Sequence, residues 1–165
     1  LSTQAKNDVH YYIHNEVGYN YRMSNVLAGI GRGQMKVLEN RIAKKNEIFE
    51  KYKEAFKDIE EIEMMPENEN ERSNQWLSAM TLKENSKVKP LDVILALEKE
   101  NIESRPVWKP MHLQPVFEKY DFVNENESGI SVGEDLFDRG VCLPSDTKMT
   151  EEDLKRVIKE ESEGE

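Results

Sequence analysis

At 165 residues the chain has the length of one ordinary domain and can bury a real core. Charged residues make up 34% and hydrophobic residues 37%, the profile of a soluble and somewhat polar protein, and the net charge is -10. With the acidic excess greatest over residues 60–71 and 151–165, nucleic acid and anionic membranes are not expected partners, because both require a basic face.

No apolar run reaches transmembrane length, and no signal peptide is recognisable. The single Cys142 sits in the apolar run Val141-Cys142-Leu143-Pro144 and reads as a buried, unreactive thiol. One cysteine allows no internal disulfide, which suits a reducing cytoplasm. The chain starts on Leu1-Ser2-Thr3-Gln4 without a methionine, so a fragment of something longer is expected.

Residues 1–15 hold His10, Tyr11, Tyr12 and His14 without clear periodicity. The two histidines are four apart and could share a helix face as zinc ligands, but no glutamate follows the first, and no metal site is expected. Glu16-Val17-Gly18-Tyr19-Asn20-Tyr21-Arg22-Met23-Ser24-Asn25 is a polar loop with an anion-binding look, equally readable as a structural entry turn. Ser24 or Asn25 can cap the helix that follows. Leu27, Ile30, Gln34, Leu38, Ile42, Phe49, Tyr52 and Phe56 recur at helical steps, predicting a helix over about 25–58, about 50 Å long if unbroken. Gly29, Gly31 and Gly33 weaken its first turns by about 1 kcal/mol each and suggest close approach by another backbone, from a partner subunit or a missing domain. A cap, not a strand, precedes them, so the dinucleotide-binding context is missing. Residues 1–25 are thus an N-terminal arm and loop, and 26–165 an α+β domain led by the long helix.

A short strand is predicted over 62–65 and another over 76–82, with Trp76, Ser78, Met80 and Leu82 on one side. A helix opens at Pro90 or Leu91 and carries Val93, Ile94, Leu97 and Ile102. Residues 104–107 return to the sheet. Pro106, Pro110 and Pro115 forbid regular structure over 108–117, a loop holding Arg105, Trp108, Lys109, His112 and Gln114 nearby. Residues 131–139 fit a helix with Val132, Leu136 and Phe137 inward, 141–143 a buried strand, and Thr150 the cap of a closing helix carrying Leu154, Val157 and Ile158. This order predicts a short, mostly antiparallel sheet with helices on one face.

Three stretches together resemble one family. They are His14-Asn15-Glu16-Val17-Gly18-Tyr19-Asn20-Tyr21-Arg22-Met23-Ser24-Asn25, Arg105-Pro106-Val107-Trp108-Lys109-Pro110-Met111-His112, and Gly140-Val141-Cys142-Leu143-Pro144-Ser145 with the helix start at Thr150. In order and spacing they are similar to the DegT/DnrJ/EryC1/StrS class of pyridoxal-phosphate-dependent sugar aminotransferases. The resemblance implies the C-terminal small domain of the aspartate-aminotransferase fold (fold type I), from an enzyme that works as a homodimer. It implies transfer of an amino group, with glutamate as donor, to a nucleotide-linked keto-sugar for bacterial surface polysaccharide. The Schiff-base lysine, the aspartate to the pyridine nitrogen and the stacking aromatic would all lie upstream of Leu1, so this chain alone would be inactive. By the same resemblance Asn20 binds the phosphate of the partner subunit's pyridoxal phosphate. Arg22, His112, Trp108 and Lys109 bind substrate, and Lys109 is not the Schiff-base lysine. An alternative is a non-catalytic dimerisation or sugar-nucleotide-binding module of the same descent. A metal hydrolase built on His10, His14 and His112 has no support beyond their number.

Overall fold

Strands β1 (Ile62–Met64), β2 (Ser78–Leu82), β3 (Arg105–Pro106) and β4 (Gly140–Leu143) form one antiparallel sheet in the order β1-β2-β4-β3. They belong to a computed structural model that describes residues 17–19, 21–124 and 129–162, with side chains as far as residue 159. The chain divides into two compact units, residues 1–39 and 40–165.

The second unit holds the sheet and the core. Ser78 pairs with Leu143 and Met80 with Val141. Directly paired residues share a face, so Met80, Leu82, Val141 and Leu143 line one side of the sheet. That side is covered by α2 (Leu38–Phe56) through Ile48, Tyr52 and Phe56, by α3 (Pro90–Lys99) through Val93 and Leu97, and by α5 (Glu151–Ser162) through Leu154 and Val157. The residues recur at three- or four-residue steps because that spacing stacks side chains on one helix face. β4 is buried at all four positions, as a central strand with neighbours on both edges should be. Tyr52 is fully buried, and its hydroxyl donates to the Pro144 carbonyl at 2.8 Å, tying α2 to the turn after β4.

Capping marks where these helices begin and end. The Asp92 carboxylate accepts from the Lys89 N–H at 2.9 Å, and Pro90 occupies the first turn of α3, where its missing N–H costs nothing. The helix closes at Asn101, whose φ of 59° reverses the chain and lets the Ile102 N–H reach the Leu97 carbonyl. Ile102 therefore packs on the core from beyond the helix expected to carry it. At α5, Thr150 Oγ1 accepts from the Asp153 N–H while the Asp153 carboxylate accepts from the Thr150 N–H, a reciprocal capping box.

Three expectations are corrected. The single helix over about 25–58 is two helices, α1 (Asn25–Met35) and α2, separated by a turn at Lys36 and Val37. There the amide bonds shorten to three-residue steps, Lys36 to Gly33 and Val37 to Gln34, ending the ladder just after the glycines. The boundary between the compact units falls nearby, after Glu39. Trp76 does not continue strand β2. Gln75 has a φ of 45°, and the chain turns there before pairing begins at Ser78. Finally, α4 (Val132–Arg139) buries none of its residues, and Val132 and Leu136 remain exposed. The core face was the place for them, and α2, α3 and α5 already occupy it.

In the first unit, Ser24 is the cap of α1, its Oγ accepting from the Leu27 N–H. None of the α1 residues is buried, and a Cβ added at Gly29, Gly31 or Gly33 would meet nothing within 4 Å. Among the described residues these glycines are left open. No helix there is long and apolar enough to cross a membrane.

Candidate functional site

The proline-rich loop after β3 gathers three of the expected site residues. Pro106 ends β3, and two short 3-10 turns, Met111–Leu113 and Pro115–Phe117, replace regular structure. Trp108 stacks on Trp76, ring centroids 5.7 Å apart, and both indoles remain about two-thirds exposed. Lys109 holds its ammonium 5.7 Å from the centre of the Phe137 ring on α4. His112 lies flat on Phe122 with centroids 3.6 Å apart, and its Nε2 is 3.4 Å from Ser131 Oγ.

α4 is the frame against which the loop rests. Ser131 caps it by accepting from the Glu134 N–H at 3.2 Å. The far end is fixed by Arg139, which donates to the Leu82 carbonyl at 2.7 Å and forks onto the Asp135 carboxylate. Hydrogen bonds from Arg139 hold the Asp135 carboxyl below its ordinary range, against a smaller opposing effect of burial. The loop's entry is set at Gly140, where a Cβ would collide with the Leu136 carbonyl oxygen and the Val107 side chain. Only glycine lets Val107, the residue before Trp108, close over the junction of α4 and β4.

Below the loop, Lys45 of α2 donates to the Trp76 carbonyl at 2.9 Å and lies within 3.5 Å of Ser145 Oγ. Desolvation lowers the lysine pKa, partly offset by Asp146. Cys142 is buried, its thiol pKa pushed up by that burial, so the expectation of an unreactive cysteine stands.

Chemically, this surface offers ring faces, one ammonium and one imidazole. Such groups bind the faces of sugars or bases, hydroxyls and anionic oxygens. A nucleophile–base pair it is not: Ser131 is buried and its oxygen is committed to the cap of α4. Groups of His, Cys, Asp and Glu able to hold a metal ion are absent among the described residues.

The remaining expected residues lie in the first unit. Asn20, with His10 and His14, falls outside the described residues. Arg22 is exposed in the loop before α1, next to Tyr21, whose φ of 39° is unusual for a side chain of its size. Tyr19 and Tyr21 pack ring against ring at 5.7 Å. Trp76, Phe122 and Ser131 were not singled out for the site. In the sequence the first fits a strand and the third a helix start, and no periodicity marks a residue that acts by stacking across a loop.

A four-stranded antiparallel sheet under three helices, with an aromatic and basic loop at its edge, defines a small α+β domain of the fold type I kind. The chain belongs to the DegT/DnrJ/EryC1/StrS aminotransferase family, whose sequence profile matches residues 2–160. Among its relatives is EpsN of Bacillus subtilis (strain 168), named as a pyridoxal phosphate-dependent aminotransferase, 45% identical over 158 residues, or 96% of this chain and 40% of that protein. A GDP-perosamine synthase of Escherichia coli O157:H7 is 29% identical over 143 residues, 87% of this chain and 36% of that protein. The fold is shared with the crystal structure of a DegT DnrJ EryC1 StrS aminotransferase from Brucella abortus, at a TM-score of 0.76 and 22% identity over 99% of this chain and 42% of that one. This chain therefore spans about two fifths of the length of the relatives it matches.

Proposed function

We propose that this chain is the C-terminal part of a pyridoxal-phosphate-dependent aminotransferase that moves an amino group from glutamate to a nucleotide-linked keto-sugar. The enzyme would act as a cytoplasmic homodimer supplying amino sugars for surface polysaccharide. The observation that carries this reading is the gathering of Trp108, Lys109 and His112 on one loop against α4, in a chain that belongs to a family of aminotransferases.

The cofactor supplies an electron sink when bound. The described residues do not fit it as a complete site. One hollow is lined by Ile94, Glu98, Asn101, Ile102, Glu103 and Ser104, and a second by Gly29, Arg32, Gly33 and Lys36. Neither joins a lysine amine, a carboxylate and an aromatic ring, the set that would hold and activate such a ring. Lys45 is partly desolvated but already donates to the Trp76 carbonyl, and Lys109 is exposed. No catalytic step is therefore assigned to this chain. Its proposed share is binding. Asn20 would meet the phosphate of the partner subunit's cofactor, and Arg22 the substrate's phosphates, to which a guanidinium fork is well matched. Trp108, Lys109 and His112 would meet the sugar nucleotide.

The test is borohydride reduction with pyridoxal phosphate, on this chain and on the complete protein that contains it. One lysine outside residues 1–165 should be trapped stoichiometrically in the complete protein, and none in this chain. In the complete protein, Asn20→Ala should weaken cofactor binding. Stoichiometric trapping at a single lysine within these 165 residues would refute the assignment, and unchanged cofactor affinity would remove the role of Asn20.

A further inference from the structure

His112 is held by two contacts that the substrate reading does not explain. Phe122 fixes the plane of its ring by stacking, and Ser131 Oγ stands beside Nε2. The hydrogen-bond inventory around Ser131 decides what that second contact is. A hydroxyl has one hydrogen to give and two lone pairs. One lone pair of Ser131 is taken by the Glu134 N–H at the start of α4. The side chain is more than nine-tenths buried, so its hydrogen also needs a partner, and among the described residues Nε2 of His112 is the one within reach.

We propose that Ser131 is a positioning residue for His112. Its hydroxyl donates to Nε2, which leaves that nitrogen bare and places the ring hydrogen on Nδ1. The opposite arrangement, with Nε2–H donating to Ser131, leaves the buried serine hydrogen without an acceptor. No described residue bonds Nδ1, so its N–H is left to donate to an acceptor oxygen of a ligand, such as a sugar hydroxyl or a phosphate. The cap of α4 and the tautomer of His112 thus depend on the same oxygen atom. The ligand half of this inference rests on the function proposed above, whereas the tautomer half does not.

The experiment uses nitrogen-15 spectra of the imidazole rings at pH 8, with His112 assigned by comparison with His112→Gln. The chain as it stands and its Ser131→Thr variant should both show hydrogen on Nδ1 and a bare Nε2. Ser131→Asp keeps an oxygen to cap α4, so the fold is retained, but it has no hydrogen to donate. It should move the hydrogen to Nε2. Hydrogen on Nε2 in the unaltered chain, or no change in Ser131→Asp, overturns the proposal. In the complete enzyme, Ser131→Asp should raise KM for the sugar nucleotide about tenfold, one hydrogen bond's worth, with little change in kcat. A shifted tautomer with unchanged KM overturns the ligand half alone, and leaves the lysine-trapping result to decide the function.

Discussion

Replacing Gly140 with alanine tests how the loop after β3 is attached. The backbone at this position, φ -95° and ψ 140°, is open to any residue, so conformational strain plays no part. The obstacle is space. An added Cβ would lie 2.9 Å from Val107 Cβ, and closer still to Val107 Cγ2 and the Leu136 carbonyl oxygen. β4 cannot retreat, because it pairs with β2 on one side and β3 on the other. The last turn of α4 and the Val107 segment must therefore move. Overpacking of this kind costs about 1–3 kcal/mol. A loss of 2 kcal/mol would lower the melting temperature by about 4–8 °C in a protein of this size. Gly133→Ala is the matched control, since its Cβ would only graze Pro110 at 3.4 Å and alanine favours the helix. Circular dichroism melts of the two variants beside the parent make the comparison. The Trp76–Trp108 stack should also loosen in Gly140→Ala alone, seen as a changed near-ultraviolet signal. A Gly140→Ala protein as stable as the parent would refute this account of the junction.

Further outcomes follow from the core and from one ion pair. Tyr52→Phe removes the donor to the Pro144 carbonyl and should cost about 1–2 kcal/mol in urea denaturation, with an unchanged m value. Ser78 faces the core with a fully buried hydroxyl that has no partner among the described residues, so Ser78→Ala should be neutral or stabilising by up to about 1 kcal/mol. A clear loss of stability would mean the hydroxyl is satisfied. The Asp135 carboxyl is held below the ordinary aspartate value of 3.8 by Arg139. Its contribution is complete above that value and disappears as the pH falls through the lowered folded value. Asp135→Asn should therefore flatten the fall in melting temperature below about pH 4, while an unchanged acid limb would show that other carboxylates dominate.

Much of this fold is legible in the sequence because its signals are local. The alternation of Ser78, Met80 and Leu82, the proline opening α3 and the box between Thr150 and Asp153 each specify an element without knowledge of the rest. Errors arise where a local signal has a non-local outcome. The apolar stripe running from Leu27 to Phe56 is continuous in spacing, yet the helix breaks at Lys36 and Val37, since spacing does not record how three glycines weaken the ladder. Trp76 fits the strand alternation, but the left-handed Gln75 turns the chain, and nothing in residue type announces that turn. Trp108, Lys109 and His112 became visible through family resemblance and not through chemistry, because a proline-stiffened loop with mixed side chains is also an ordinary surface connection. Ser131 is legible as the start of a helix, but the nearness of His112, nineteen residues earlier, is a product of folding.

Helical periodicity states that an apolar stripe exists, not what covers it. α2, α3 and α5 turn theirs onto the Met80 face of the sheet. α1 and α4 show the same signal and bury nothing, leaving Val26, Leu27, Ile30, Val132 and Leu136 exposed. An isolated helix of eleven residues is marginal in water, since nucleation costs more than so few hydrogen bonds return, so α1 gains least from its own unit. The residues assigned to binding follow the same division. Arg22 lies three residues before α1, and Lys109 and His112 rest against α4 and its cap. None lies on a helix whose apolar face is spent in the core. Each group proposed for binding thus stands near an apolar helix surface that its own unit leaves exposed.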